Sequence, residues 1–309
     1  MKTVIIDGYG ANPGDLSWEA YARFGEYVVY DRTEPTPNDE LIIDRIKDAD
    51  AIVVNKHEIT REIMVQCPKL KFICESATGY NNIDVKAAAE LGIAVSNVPA
   101  YSTKAVAQHT IALLLEVTNH VGIHNQAVHN GEWFDAPDFC FTNKPLALLD
   151  GKSIGIIGYG AIGKKVAAIC SALGMNLNIY SVDPKSTLES DVISLHCPLN
   201  NETQGFINKD LISKMKDGVI LINTARGGLI HEEDLATAIQ SGKVSAYAAD
   251  VLSSEPPEKN NPLIGLENCI LTPHIAWIPK ETRQFLIDVC IANQESFLAG
   301  GTLNQVSPL

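Results

Sequence analysis

Residues 155–174 read GIIGYGAIGKKVAAICSALG. They hold G-x-G-x-x-G as Gly158, Gly160 and Gly163, directly after the apolar run 153–157. A helical pattern follows, with Ile162, Val166, Ile169 and Leu173 on one face and Gly174 closing it. A strand before the glycines and a helix after them are the context in which this motif binds a dinucleotide. Gly158 allows the tight turn, Gly160 lets the backbone approach a pyrophosphate, and Gly163 lets the helix pack on the strand. The first N–H groups of the helix then face the phosphates.

Upstream of this unit, short apolar runs at 4–6, 27–30, 51–54, 70–74 and 94–96 alternate with helical patterns. A second series follows at 153–157, 177–180, 192–196, 219–222, 246–249 and 269–271. Such alternation predicts parallel sheets in α/β layers, one for each series. Between the two series the spacing predicts a long, buried helix from Ser102 to about Val121. Residues 130–150 lack periodicity and read as loop. Pro279 is expected to open a last helix as its first residue. Phe285, Leu286, Val289, Cys290 and Phe297 form its apolar stripe, and Gly300 and Gly301 stop it.

The 309 residues suffice for two domains, and 46% hydrophobic with 20% charged content suits a soluble globular protein. No apolar run of about 20 residues is present, so no membrane span is expected. No signal peptide is read at MKTVIIDG. The seven cysteines are scattered and lack a CxxC pair, which predicts free thiols in a reducing cytoplasm. A net charge of −13 argues against a nucleic-acid partner. It would also repel a small anion, so an anion site has to be locally positive.

That gives weight to VILINTARGG at 219–228. Here an arginine follows an apolar strand covered on both faces, with two glycines behind it. Arg226 follows this strand, Glu255 follows the next, and His274 follows the one after. Residues placed after successive parallel strands converge at the carboxyl edge of the sheet, where ligands bind. Reduction of a 2-keto acid needs a hydride, a proton donor and a cation for the carboxylate. An arginine fork matches a carboxylate. A histidine exchanges protons near neutral pH, and a neighbouring glutamate would favour its imidazolium and fix its orientation. Asp250 would either bond a cofactor carboxamide or cap a turn. His120 and His124 share the i, i+4 spacing of metal ligands but no carboxylate-rich motif supports them, and no metal is expected. His196 would either line the crevice or pack.

The segments ATGYNNID (77–84), SNVPAYSTKAVAQHTIALLL (96–115), GYGAIG (158–163), SLHCPLN (194–200), INTARGGLI (222–230) and PHIAW (273–277) together resemble the D-isomer-specific 2-hydroxyacid dehydrogenase family. EWFDAPDFCF (132–141) with PHIAW resembles its glycerate dehydrogenase, or hydroxypyruvate reductase, branch. The resemblance implies two Rossmann-like or flavodoxin-like domains with parallel sheets. The substrate domain would be residues 1–99 with 282–309, and the NAD-binding domain, 100–281, would be inserted into it. It implies a cytoplasmic homodimer joined through the long helix and the loop around 130–145. It implies substrate binding by Arg226, a Glu255–His274 acid/base pair, and carboxylate contacts from Thr78, Gly79 and Tyr80. It also implies cofactor contacts from Thr103, Gly158, Gly160, Ala161, Ile162, Gly163, Cys197, Thr203, Thr224, Ala225, Arg226, Asp250 and His274. Trp277 would either wall the substrate pocket or pack.

Two departures concern the adenine ribose. The family's usual Asp after the second cofactor-domain strand is replaced by Ser181, with Asp183 two residues on. The segment 182–190 is also too short for a usual crossover helix. NAD is the expected cofactor, with NADP still open. The expected activity is hydride transfer between the nicotinamide and a small 2-keto or D-2-hydroxy acid, with hydroxypyruvate or glyoxylate favoured. The alternative is an NADH-sensing, corepressor-like protein, because the same family contains such members with the triad retained.

Overall fold

The computed structural model describes residues 1–34, 36 and 39–307. The chain divides into two compact units, Met1–Ser102 with Ile278–Leu309, and Thr103–Trp277.

In the first unit, β1 (Lys2–Ile5), β2 (Glu26–Val29), β3 (Ala51–Val54), β4 (Phe72–Glu75) and β5 (Ala94–Ser96) form one sheet. Its order is β2-β1-β3-β4-β5, and every pair is parallel. Alternate residues divide between its faces, as a strand requires. Val4, Ile52, Ile73 and Val95 enter a core shared with Ile42, Ile46, Ile63 and Ala88 of the surrounding helices. On the other face lies the helix Lys280–Leu298, with Phe297 stacked on Phe72 at 4.8 Å between ring centroids. Gln294 Nε2 donates to Thr3 Oγ1 at 2.7 Å on this same face.

Two sequence expectations for this last helix change. Pro279 caps it from outside rather than forming its first residue. Phe285 is exposed, and the buried face runs through Arg283, Leu286, Ile287, Cys290, Ile291, Asn293 and Gln294. Polar members on a buried face hide the stripe from a hydrophobicity reading. Arg283 tolerates its burial through a two-pronged bond to Asp15, at 2.7 and 2.8 Å.

In the second unit, β6 (Ser153–Ile157), β7 (Asn176–Ile179), β8 (Val192–Leu195), β9 (Val219–Asn223), β10 (Val244–Ala249) and β11 (Cys269–Leu271) form a parallel sheet. Its order is β11-β10-β9-β8-β6-β7. Both faces are covered, which explains the continuous apolar runs. Ile193, Leu195, Leu221 and Tyr247 pack on one side with Leu235 and Ile239. Ile154, Ile156, Ile222 and Ala248 pack on the other with Ile111, Leu114, Val166 and Cys170.

The predicted single helix from Ser102 to Val121 is two helices, Thr103–Asn119 and Val121–His129, separated at His120, which takes a left-handed φ of 48°. The first is buried on one face only. Residues 130–150 contain turns and no helix or strand. Among the described residues, no helix is long and apolar enough to cross a membrane. The seven cysteines are free thiols.

Candidate active site

Arg226, Glu255 and His274 follow the carboxyl ends of β9, β10 and β11 respectively. Asn223, the last residue of β9, builds the turn that presents Arg226. Its Oδ1 accepts from Ala225 N at 3.0 Å, and its Nδ2 donates to Arg226 O at 2.9 Å. Thr224 is tied to Thr110 by a 2.8 Å hydroxyl contact. The arginine side chain is exposed, with Nη1 donating to Ala225 O.

Gly227 explains the glycine after the arginine. A Cβ there would meet the Leu252 carbonyl carbon at 1.9 Å and Ser253 N at 2.4 Å. The loop leading to Glu255 therefore packs directly on the Arg226 turn, and only a residue without a side chain permits it. Glu232 secures the same loop, accepting from Ser253 N at 2.8 Å and Asn261 Nδ2 at 2.7 Å.

His274 Nδ1 lies 2.5 Å from Glu255 Oε2, and Glu255 Oε1 accepts from Leu252 N at 3.1 Å. Burial alone would push the Glu255 carboxyl up. The bond to His274, its charge, the Leu252 N–H and the Arg226 charge outweigh burial and hold it below its ordinary value. A carboxylate at this position requires the proton on Nδ1, which leaves Nε2 to exchange one. Nε2 has no hydrogen-bond partner among the described residues.

His274 has a left-handed φ of 54°, strained for a residue with a side chain. Asp250 holds the turn in place. Its Oδ1 accepts from Thr272 Oγ1 at 2.6 Å and Ile275 N at 2.9 Å, its Oδ2 accepts from Ala276 N at 2.8 Å, and its backbone O accepts from His274 N at 2.9 Å. Asp250 thus clamps the histidine loop through both carboxylate oxygens.

The glycine turn lies two strands from β9, beyond β8. Gly158 has φ 99°, and a Cβ there would strike Cys197 N at 2.3 Å and His196 O at 2.6 Å. Gly163 would meet Gly158 O at 2.1 Å. At Gly160 a Cβ would meet nothing within 4 Å. Two of the three positions are therefore glycine for internal packing, while the third faces open space at the start of the helix Ala161–Ala172. Open space beside unpaired helix N–H groups fits a dinucleotide pyrophosphate, with Ala161 and Ile162 as the first helical residues.

Other expected contacts are spread more widely. Ser181 is exposed in the turn after β7. Asp183 caps a five-residue helix, Pro184–Leu188, through Ser186 N at 3.1 Å and Ser186 Oγ at 2.5 Å. The bonds from Ser186 hold the Asp183 carboxyl below its ordinary value. Cys197 is half-buried, and the Thr203 hydroxyl donates to Pro198 O at 2.7 Å within its own loop. Thr103 opens its helix and Trp277 is half-buried. His196 is packed, 2.9 Å from Ser194 Oγ, and burial pushes its imidazole down to about 4. His124 spends Nδ1 on His120 O at 2.8 Å. Thr78, Gly79 and Tyr80 lie in the first unit, on the loop after β4, where the Thr78 hydroxyl donates to Val98 O at 2.9 Å.

Residues 111–276 match the model of the D-isomer specific 2-hydroxyacid dehydrogenase, NAD binding domain. The chain belongs to the D-isomer-specific 2-hydroxyacid dehydrogenases. It is 50% identical over 322 residues to the hydroxypyruvate reductase of Blautia hydrogenotrophica, spanning 99% of this chain and 100% of that one. It is 37% identical over 287 residues to the glycerate dehydrogenase of Methylorubrum extorquens, covering 90% and 91% of the two chains. Its fold is similar to that of the D-lactate dehydrogenase of Aquifex aeolicus solved with NAD and lactic acid, with a TM-score of 0.84, 28% identity, and full coverage of both chains at 100%. The D-2-hydroxyacid dehydrogenase is therefore an NAD(P)-dependent oxidoreductase that acts on 2-keto or 2-hydroxy acids.

Proposed function

We propose that this dehydrogenase reduces a small 2-keto acid, hydroxypyruvate or glyoxylate, to the D-2-hydroxy acid. The observation that carries the residue roles is the 2.5 Å His274–Glu255 contact on loops packed against the Arg226 turn. The names of the relatives from Blautia and Methylorubrum support the substrate.

Bound reduced nicotinamide supplies the hydride to the keto carbon. Arg226 binds the substrate carboxylate with its fork and orients the reacting carbonyl. His274, protonated and held through Nδ1, gives the Nε2 proton to the carbonyl oxygen as it gains charge. Glu255 holds Nδ1 and keeps the ring from turning. By resemblance, the N–H groups of Thr78, Gly79 and Tyr80 also bind the carboxylate, and Trp277 limits the size of the substrate side chain. The Gly158, Gly160 and Gly163 turn with Ala161 and Ile162 holds the pyrophosphate, while Thr103, Ser181, Cys197, Thr203, Thr224 and Ala225 line the rest of the cofactor path.

Asp183 favours NADH over NADPH, because an ionised carboxylate two residues past the turn at Ser181 repels a 2′-phosphate. A second copy of the chain covers the apolar surface at Val121, Trp133, Phe134, Phe139, Leu146 and Leu148, where Phe134 is 92% and Phe139 88% exposed.

A panel of 2-keto acids offered with NADH and with NADPH tests the reading. Hydroxypyruvate or glyoxylate with NADH should give the highest kcat/KM. Arg226→Ala should lower that value by roughly 100-fold. Cofactor binding without turnover of any 2-keto acid would favour the sensing alternative, and an unchanged Arg226→Ala enzyme would remove the arginine from the site.

A further inference from the structure

The mechanism above leaves one buried carboxyl unused. Glu75 ends β4, is fully buried, and directly precedes the loop 76–82 that carries Thr78, Gly79 and Tyr80. Strand interiors rarely hold a glutamate, and a buried one needs partners. Glu75 has one. Its Oε2 accepts from Asn82 Nδ2 at 2.9 Å, while Oε1 is buried with no hydrogen-bond partner among the described residues.

Asn82 sits at the far end of that loop. The same Nδ2 reaches His57 O at 3.0 Å, and its backbone O accepts from Ile59 N at 2.8 Å. At the near end, Asn55 Nδ2 donates to Ser76 O at 2.8 Å. Asn97 Nδ2 donates to Thr78 O at 2.8 Å. Both ends of the loop and its first exposed residue are thus tied to the edge of the sheet, and the tie at the far end runs through Glu75.

We propose that Glu75 is a positioning residue for substrate binding: its carboxyl, through Asn82, holds the 76–82 loop so that Thr78, Gly79 and Tyr80 present their N–H groups to the keto-acid carboxylate. This rests on the proposed reduction of a 2-keto acid. The group does this as a neutral acid. Burial, with the charges at Cys74 and Asp7 adding to it, lifts the carboxyl to about 9 against the opposing Asn82 bond. The titratable groups facing it are Asp7 after β1, Cys74 on its own strand and Cys290 on the helix Lys280–Leu298. His57 shares the Asn82 amide through its backbone O.

Linkage fixes the pH behaviour. Across the interval from the ordinary carboxylate range up to about 9, the folded chain keeps a proton that the unfolded chain has lost. Stability from this group is present at low pH and declines as pH rises through that interval. Ionisation above about 9 puts an unpaired charge beneath the loop.

Glu75→Gln keeps the acceptor for Asn82 and cannot ionise, whereas Glu75→Leu keeps the bulk and removes the acceptor. At pH near 7 Glu75→Gln should retain the wild-type hydroxypyruvate KM within about twofold. Glu75→Leu should raise it roughly tenfold, with kcat within about threefold and the NADH KM unchanged. Above about pH 9 the wild-type hydroxypyruvate KM should climb relative to that of Glu75→Gln. A wild-type KM in Glu75→Leu overturns the proposal, as does a constant ratio of wild-type to Glu75→Gln KM across that range. If Glu75→Leu does not fold, the pH ratio alone decides. A wild-type enzyme that reduces no 2-keto acid overturns the underlying function instead. Infrared detection of a protonated Glu75 carbonyl near neutral pH, absent in Glu75→Gln, reads the neutral acid without any turnover.

Discussion

Each unit carries a carboxylate–histidine pair at the carboxyl edge of its sheet, and the two pairs differ in their surroundings. In the first unit His57 Nδ1 lies 2.8 Å from Asp7 Oδ1, an ion-pair contact set off the line of a hydrogen bond. His57 Nε2 sits 2.6 Å from Thr33 O, and Asp7 Oδ2 accepts from Asn55 N and Lys56 N at 3.0 Å each. In the second unit a carboxylate likewise holds His274 Nδ1, yet its Nε2 has no hydrogen-bond partner among the described residues. The side chains of the first pair are 13% and 12% exposed, and those of the second 41% and 35%. The chemistry of the residues is alike. Whether the second ring nitrogen is tied down separates a pinned histidine from the proposed proton donor.

The largest expected effect separates the histidines. His274→Gln should lower kcat for keto-acid reduction by roughly a thousandfold. His57→Gln should leave kcat within about threefold and act instead on the thermal midpoint. Steady-state kinetics beside thermal unfolding of both variants reads this contrast, and equal kinetic losses would erase it.

A smaller effect separates the carboxylates. Glu255→Gln removes the carboxylate that holds His274 Nδ1, so kcat for reduction should fall roughly tenfold. Asp7→Asn should leave that kcat within about threefold. A loss of kcat in Asp7→Asn and none in Glu255→Gln would reverse the assignment of the pairs.

The smallest effect is on stability. Burial would raise Asp7, but His57 and the N–H groups of Lys56 and Asn55 hold it below its ordinary value. The Asp7 contact raises His57 against burial. The Asp7 contribution is therefore present above the ordinary carboxylate value of about 4 and lost as pH falls through its lowered pKa. The His57 contribution is present below about 6.5 and lost as pH rises through its raised pKa. Denaturant unfolding should show the gap between wild type and Asp7→Asn widest between about pH 4 and about pH 6.5. A gap that grows steadily toward alkaline pH would contradict the ion pair.

Much of the second unit was legible in the chain. Its strands are continuous apolar runs because both faces of the sheet are covered, and the turn residues at their ends carry the polar groups. The first pair was invisible for the same kind of reason. Asp7 and His57 each stand singly after a strand and Glu75 ends one, and only the parallel packing of β1, β3 and β4 brings them side by side. The break at His120 also escaped, because a left-handed residue leaves no mark in an apolar pattern. The buried face of the last helix was misread because Arg283, Asn293 and Gln294 are polar.

The sequence by itself determined the alternation of strands and helices, the glycine turn at 158–163 and the order in which Arg226, Glu255 and His274 follow their strands. These are local matters, set by periodicity and by where a side chain is forbidden. Tertiary structure alone decided that Asp250 bonds the His274 turn and that Gly227 lies hard against Leu252. It also decided that His57 is pinned at both nitrogens and that Glu75 is fully buried. Hydrogen-bond saturation and desolvation depend on neighbours distant in the chain, and no spacing rule encodes them.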